Sequence, residues 1–195
     1  MTNSPQQRQH IRDRIKAQRA ALSSTQLLQA GEALFENCLP LLSNASSVAG
    51  YKAIRGEMPV DLLLADCQRR QITTLLPIML DEGHLLFAPF DESTPFKQKQ
   101  FGIAEPDIPA ADFVQPMHID AVLVPLVAFD KTLNRMGMGG GFYDRSFADR
   151  KQQSAPPMLI GVAHAFQQVE SVLADWWDVP LDYVVTDEGV FSRSA

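Results

Sequence analysis

DAVLVPLVAF, residues 120–129, is the stretch that decides the fold. Its apolar side chains follow one another instead of alternating with polar ones, as in a strand covered on both faces of a sheet. Four further runs have the length and composition of strands: SVAGYKAI (47–54), ITTLLPIM (72–79), MLIGVAHA (158–165) and DYVVT (182–186). VDLLLADCQRR (60–70) lies between the first two of these as a crossover helix, and LDEGHLLFAPF (80–90) reads as a hairpin turning at Asp81–Gly83. Alternating strands and helices predict an α/β fold with a mostly parallel sheet flanked by helices on both faces. Two helices precede it: a polar one from Ser4 to about Leu22 with Pro5 in its first turn, and one opened by a capping box of Ser23 and Gln26 and stopped by Pro40. PFKQKQFGIAEPDIPAADFVQPMH (95–118) is Pro-rich and aperiodic, and reads as a long surface connection able to form a rim or lid.

The 195 residues are read as one Rossmann-like domain, residues 1–195. Apolar residues at 46% against 21% charged exclude a disordered chain. Cys38 and Cys67 stand alone, without a CxxC or a neighbouring His, so neither a zinc site nor a disulfide framework is indicated; two buried thiols in a reducing compartment fit better. There is no apolar leader and no membrane-length apolar segment, which places the protein in the cytoplasm, away from the membrane. A monomer is expected.

The net charge of −6 argues against nucleic acid as a partner, because a phosphate backbone needs a basic footprint. Charge is unevenly spread: Arg8, Arg12, Arg14, Lys16 and Arg19 against Asp13 give the first 22 residues +4, and the remainder carries −10. Arg8, Arg12 and Arg19 share one helical face. Such a face is either solvated or meets a polyanion.

Downstream of DAVLVPLVAF comes RMGMGGGFYDR (135–145). It is not a P-loop, since no Lys or Ser/Thr follows its last glycine, and Phe142 occupies the third position of a GxGxxG fingerprint. Dense glycines expose successive backbone amides that can cradle an anion, aided by a helix beginning near Phe142 and by charge from Arg135 and Arg145. A flexible loop is the alternative. Asp144 is suited to Mg²⁺ bridging phosphate oxygens, or is simply a first-turn helix acid. Glu57, after IRG, lies at the carboxyl edge of the first strand, where it either orients a polar ligand or opens the next helix. His10, His84, His118 and His164 have no metal-ligand spacing and read as structural or solvated. No nucleophile motif is present.

Four blocks in order, RQHIRDRIKAQRAAL (8–22), YKAIRGEMPVDLL (51–63), VPLVAFDKTLNRMGMGGGFYDR (124–145) and IGVAHAFQQVE (160–170) followed by WDVPLDYVVTDEG (177–189), resemble the 5-formyltetrahydrofolate cyclo-ligase family. The resemblance implies an enzyme that converts 5-formyltetrahydrofolate and ATP into 5,10-methenyltetrahydrofolate, ADP and phosphate with Mg²⁺. It implies that Arg8 and Arg12 meet the ATP phosphates and that Arg135, Met136, Gly137, Met138, Gly139, Gly140, Gly141, Phe142 and Tyr143 form the nucleotide loop. It places Arg12, Lys52, Glu57, Met138 and Phe142 against the folate, gives Glu57, Arg135 and Tyr143 catalytic roles, and assigns Asp144 and Asp178 to Mg²⁺. Three positions depart from the pattern: Gly140 where many relatives carry Lys, Phe142 where they carry Tyr, and Trp177 in place of a frequent His. A folate- or nucleotide-binding protein without turnover is the competing reading, and a nucleic-acid-binding protein using the basic helix is a third.

Overall fold

The computed structural model describes residues 5–98, 104–153 and 155–192. In chain order its helices are α1 (Pro5–Ala20), α2 (Ser24–Cys38), α3 (Asp61–Arg69) and α4 (Phe142–Ser146). The strands are β1 (Ser47–Ala49), β2 (Thr73–Met79), β3 (Leu85–Pro89), β4 (Phe96–Gln98), β5 (Ala104–Pro106), β6 (Ala121–Pro125), β7 (Ala128–Phe129), β8 (Arg135–Met136), β9 (Met158–Val162), β10 (Tyr183–Thr186) and β11 (Gly189–Ser192). The expected capping box opens α2: Ser23 Oγ accepts from Gln26 N at 3.2 Å and Gln26 Oε1 accepts from Ser23 N at 2.9 Å. Pro40 admits only a 3₁₀ turn beyond Cys38.

Seven strands form one sheet in the order β11-β10-β9-β6-β1-β2-β3. Neighbours from β10 to β2 run parallel, while β11 and β3 close the two edges antiparallel. The unbroken apolar run of β6 has its reason here: Ala121 and Leu123 face one core with Leu34, Leu63 and Ile160, and Val122 and Val124 face another with Phe87, Phe129 and Phe147. Helices α2 and α3 cover the first face; α4 and the segments around Met117 and Leu181 cover the second. The mostly parallel α/β sheet flanked by helices, with two N-terminal helices before it, matches the sequence reading.

Three local expectations change. SVAGYKAI pairs only through Ala49; beyond Gly50 the chain leaves the sheet toward the Glu57 turn. DAVLVPLVAF is two strands, because after Pro125 the buried Gln167 side chain donates to the Leu126 and Val127 carbonyls, both at 2.9 Å, in place of a sheet partner. The chain then forms the β7–β8 ribbon, which aims the glycine stretch. Segment 95–118, of which 99–103 lie outside the described residues, carries the β4–β5 pair, and the buried Glu105 accepts from Met79 N at 3.1 Å, so it is fastened to the sheet edge.

From β1 the chain passes through α3 to β2 and later returns on the other side of β1 to β6, so strand order reverses between β1 and β6. The crevice beyond their carboxyl ends is where such sheets bind ligands. No helix among the described residues is long and apolar enough to cross a membrane. Cys38 and Cys67 are buried free thiols; burial pushes them up to about 12 and about 11.

Candidate active site

Gly137–Gly141 follow β8 and lead into α4 through Gly141, whose φ of 68° is the left-handed conformation a glycine adopts without penalty. Residues 137–140 are exposed, and their amides donate to no acceptor among the described residues. The two flanking arginines are placed differently from the sequence expectation. Arg145 donates to Gly83 O at 2.9 Å and Gly140 O at 2.6 Å and lies over the Phe142 ring, clamping the loop to the β2–β3 turn. Arg135 is 8% exposed and donates to Val179 O and, at 2.7 Å, to Asp144 Oδ1. Arg135 has both Nη groups committed and orients Asp144, while the exposed Arg145 keeps Nη1 without an acceptor among the described residues.

Helix α1 crosses the carboxyl ends of the strands and touches three loops in turn. Arg8 donates to Leu173 O and to Asp175 Oδ2 at 2.6 Å. One turn on, Arg12 Nε donates to Gly137 O at 3.0 Å, while its two Nη groups have no acceptor among the described residues. Ile15 is buried, and Arg19, 3% exposed, reaches the carbonyls of Ile54 and Arg55. The shared face of Arg8, Arg12 and Arg19 is therefore neither solvated nor given wholly to a polyanion. It is the packing face of the helix: Arg8 and Arg19 are anchored to other loops, each with one buried nitrogen (Nε of Arg8, Nη1 of Arg19) lacking an acceptor among the described residues, and Arg12 keeps both Nη groups uncommitted.

The turn that carries Glu57 needs two consecutive left-handed residues, Arg55 (φ 49°) and Gly56 (φ 72°). Glu57 Oε2 accepts from Ile54 N at 3.1 Å, and Oε1 lies 3.3 Å from Arg19 Nη2. Burial raises the Glu57 carboxyl above the usual range, against the pull of the Ile54 amide and Arg19. Its charge in turn raises the phenols of Tyr51 and Tyr143, which burial has already raised. His164, 1% exposed after β9, supports the turn: Nε2 donates to Gly56 O at 3.1 Å while the other ring nitrogen accepts from Gln167 N. Burial lowers its pKa and keeps it neutral.

A Cβ at Gly56 would overlap the backbone of Arg19, whereas one at Gly137 would meet nothing within 4 Å. Gly56→Ala is expected to cost roughly 1–3 kcal/mol, about 2–4 °C of Tm for each kcal/mol. Gly137→Ala should stay within about 0.5 kcal/mol of the parent. Thermal unfolding of both variants checks the contrast.

Asp144 and Asp178, which the sequence resemblance assigns to Mg²⁺, lie close enough for the charge of one to act on the other. Asp144 Oδ1 also accepts from Val179 N at 3.0 Å, and Asp178 Oδ2 accepts from Asp175 N at 2.8 Å. Burial raises Asp178, and the charges of Asp144 and Asp175 raise it further. One oxygen of each carboxylate is left without a donor among the described residues, and no group of three or more His, Cys, Asp or Glu that would make an all-protein metal cage occurs there. That donor set fits Mg²⁺, which is held by one or two carboxylates together with phosphate oxygens.

Of the remaining sequence candidates, Met136 is buried beneath the β7–β8 ribbon and contributes only backbone, while Met138 is 51% exposed. Phe142 and Tyr143 pack on the core, Tyr143 stacked on Phe147. A Cβ at Gly140 would lie 2.9 Å from the Phe142 ring, so a side chain at 140 requires that ring to shift. Lys52 lies 5.5 Å from both Phe90 and Phe96 ring centres and 3.8 Å from Asp61, a separate wall not joined to Glu57 by any direct contact. Trp177 is exposed beside Trp176. Sequence reasoning missed Asp175 and the buried role of Arg19, for which the signal was its helical register with Ile15; His164, read as structural or solvated, is structural.

The sequence model of the 5-formyltetrahydrofolate cyclo-ligase family matches residues 4–187. A 5-formyltetrahydrofolate cyclo-ligase of Haemophilus influenzae is 37% identical over 180 residues, 90% of this chain and 95% of that protein. One from Escherichia coli is 31% identical over 181 residues, 91% and 98% of the two chains. The fold is similar to that of the Aquifex aeolicus 5,10-methenyltetrahydrofolate synthetase, with a TM-score of 0.80 at 28% identity over 96% of this chain and 95% of that one. The family match thus spans α1, the Glu57 turn, the glycine loop and Asp178, every part of the site built above. The chain belongs to the 5-formyltetrahydrofolate cyclo-ligase family.

Proposed function

We propose that this chain cyclises 5-formyltetrahydrofolate to 5,10-methenyltetrahydrofolate at the expense of ATP, releasing ADP and phosphate. The observation that carries the reading is the convergence, at one switch point of a family-matched chain, of a partly buried carboxylate, an exposed row of glycine amides and a pair of aspartates. In the reaction the formyl oxygen attacks the γ-phosphorus and ADP departs; N10 then attacks the activated formyl carbon, phosphate leaves, and N10 gives up its proton. Such transfer depends on positioning and on neutralising charge.

Each requirement has a candidate in this chain. Glu57 accepts from the N–H groups of the pterin's polar edge and thereby fixes the formyl-bearing N5. The amides of 137–141 and the Arg12 guanidinium receive the nucleotide phosphates, with Arg8 close behind through Asp175. Asp144, oriented by Arg135, and Asp178 would hold Mg²⁺, which when bound neutralises phosphate charge. Tyr143 closes the wall between Glu57 and Asp144, and Met138 and Phe142 face the substrate from the loop. Lys52, in its aromatic setting, is assigned to the outer part of the folate.

The test is growth of the methenyl absorbance band with purified protein, 5-formyltetrahydrofolate and Mg²⁺, with and without ATP. ATP-dependent growth matched by ADP release is expected. Binding of both ligands without growth would overturn the reading and point to Gly140 and Phe142 as the changes that removed turnover.

A further inference from the structure

We propose that Arg19 is the positioning residue of Glu57, its buried fork holding both the carboxylate and the turn beneath it in the geometry that receives the pterin. This rests on the assignment of Glu57 to the substrate. Arg19 is 3% exposed, a costly place for a cation unless acceptors surround it; its Nη1 is left without one among the described residues, and the other two nitrogens are engaged. Its Nε and Nη2 donate to Arg55 O at 3.3 and 3.1 Å, Nη2 also donates to Ile54 O at 3.1 Å, and the same nitrogen lies 3.3 Å from Glu57 Oε1. Three acceptors within one four-residue turn are thus gathered by one planar group. A lysine, with a single ammonium on a flexible stem, cannot span them.

The arrangement resolves a conflict built into the site. Glu57 must be sheltered to recognise a substrate edge, yet shelter favours the neutral acid, which turns one acceptor oxygen into an O–H donor and offers no charge to N–H groups. The groups that face Glu57 are Arg19 from α1, Arg55 and the Ile54 amide from its own turn, Tyr51 behind it and Tyr143 from α4, with neutral His164 below at Gly56. Among the charged side chains, Arg19 alone combines burial with contact to the carboxylate. Opposing it, both tyrosines remain protonated over the working range.

The experiment compares the parent with Arg19→Gln and Arg19→Lys, each also in a Glu57→Gln background, by kcat/KM for 5-formyltetrahydrofolate across pH and by carbon-13 titration of the Glu57 carboxyl. Arg19→Gln should displace the acid limb and the NMR titration upward by about 1 pH unit, the lower range of what a charge at this distance provides. Arg19→Lys should fall between Gln and the parent. In the Glu57→Gln background neither change should add a pH-dependent loss, and KM for ATP should stay within about threefold of the matching parent. A uniform fall in kcat/KM with an unmoved limb and an unmoved carboxyl titration would assign Arg19 to stability alone and overturn the proposal. Because the NMR readout needs no turnover, it decides the inference even if the parent forms no methenyl product; if Arg19→Gln does not fold, the Lys variant supplies both comparisons.

Discussion

Glu57→Gln lowers kcat/KM roughly 10- to 100-fold while the protein stays folded. A hydrogen bond to a charged group is worth about 1.5–3 kcal/mol, and each 1.36 kcal/mol is about tenfold in rate. Glutamine is isosteric but presents one acceptor in place of two and carries no charge for the pterin N–H groups. Arg19 keeps the Ile54 and Arg55 carbonyls, so the turn persists. The pH dependence gives an independent check. Burial raises the Glu57 pKa, and substrate recognition uses the ionised form, so the parent loses kcat/KM as pH falls through that raised value. The variant, with nothing to protonate there, loses this limb. Steady-state profiles with a thermal melt at each pH read both effects; near-parental activity with an unchanged limb would remove Glu57 from the site.

Substitution of Asp144 separates catalysis from folding. In Asp144→Asn the retained Oδ1 still accepts from Arg135 and from Val179 N, so the anchor beneath α4 survives. The negative charge next to Asp178 is gone. Turnover should fall on the order of 100-fold, the scale of several kcal/mol of metal-borne charge stabilisation, and more Mg²⁺ should be needed for half-maximal rate. Asp144→Ala removes the acceptor as well and leaves buried Arg135 with Val179 O as its remaining partner. Breaking a buried pair costs 3–5 kcal/mol, and with the Asp144 side chain 26% exposed the low end, about 3 kcal/mol, applies. That corresponds to roughly 6–12 °C of Tm. Equal activities in the two variants, or equal melting temperatures, would contradict this division.

Much of the site's chemistry was readable before the fold. Glu57, Asp144 and the glycines sit just beyond apolar runs, and the carboxyl ends of parallel strands collect ligands whatever the family. The partners of the arginines were not readable. Charge is visible in sequence, but the acceptor it meets is not: Arg135 finds Val179 and Asp144, Arg145 finds Gly83 and Gly140, and Arg19 finds three groups more than thirty positions away. Each looks in sequence like a cation awaiting a phosphate.

The sequence by itself determined the elements and their class, because hydrophobic periodicity, the Ser23 cap, Pro40 and the run of β6 are local instructions that act over a few residues. It also marked the glycine stretch as a place of close approach. Tertiary structure alone decided where DAVLVPLVAF breaks, since that required Gln167 to arrive from beyond β9. Only it decided that α1 is a strap joining the loops at 173–175, 137 and 54–57, and that Arg12 is tied to Gly137 O through Nε with both Nη groups uncommitted among the described residues. Such outcomes depend on which buried acceptors compete for each donor, and that competition exists only once distant segments are packed together.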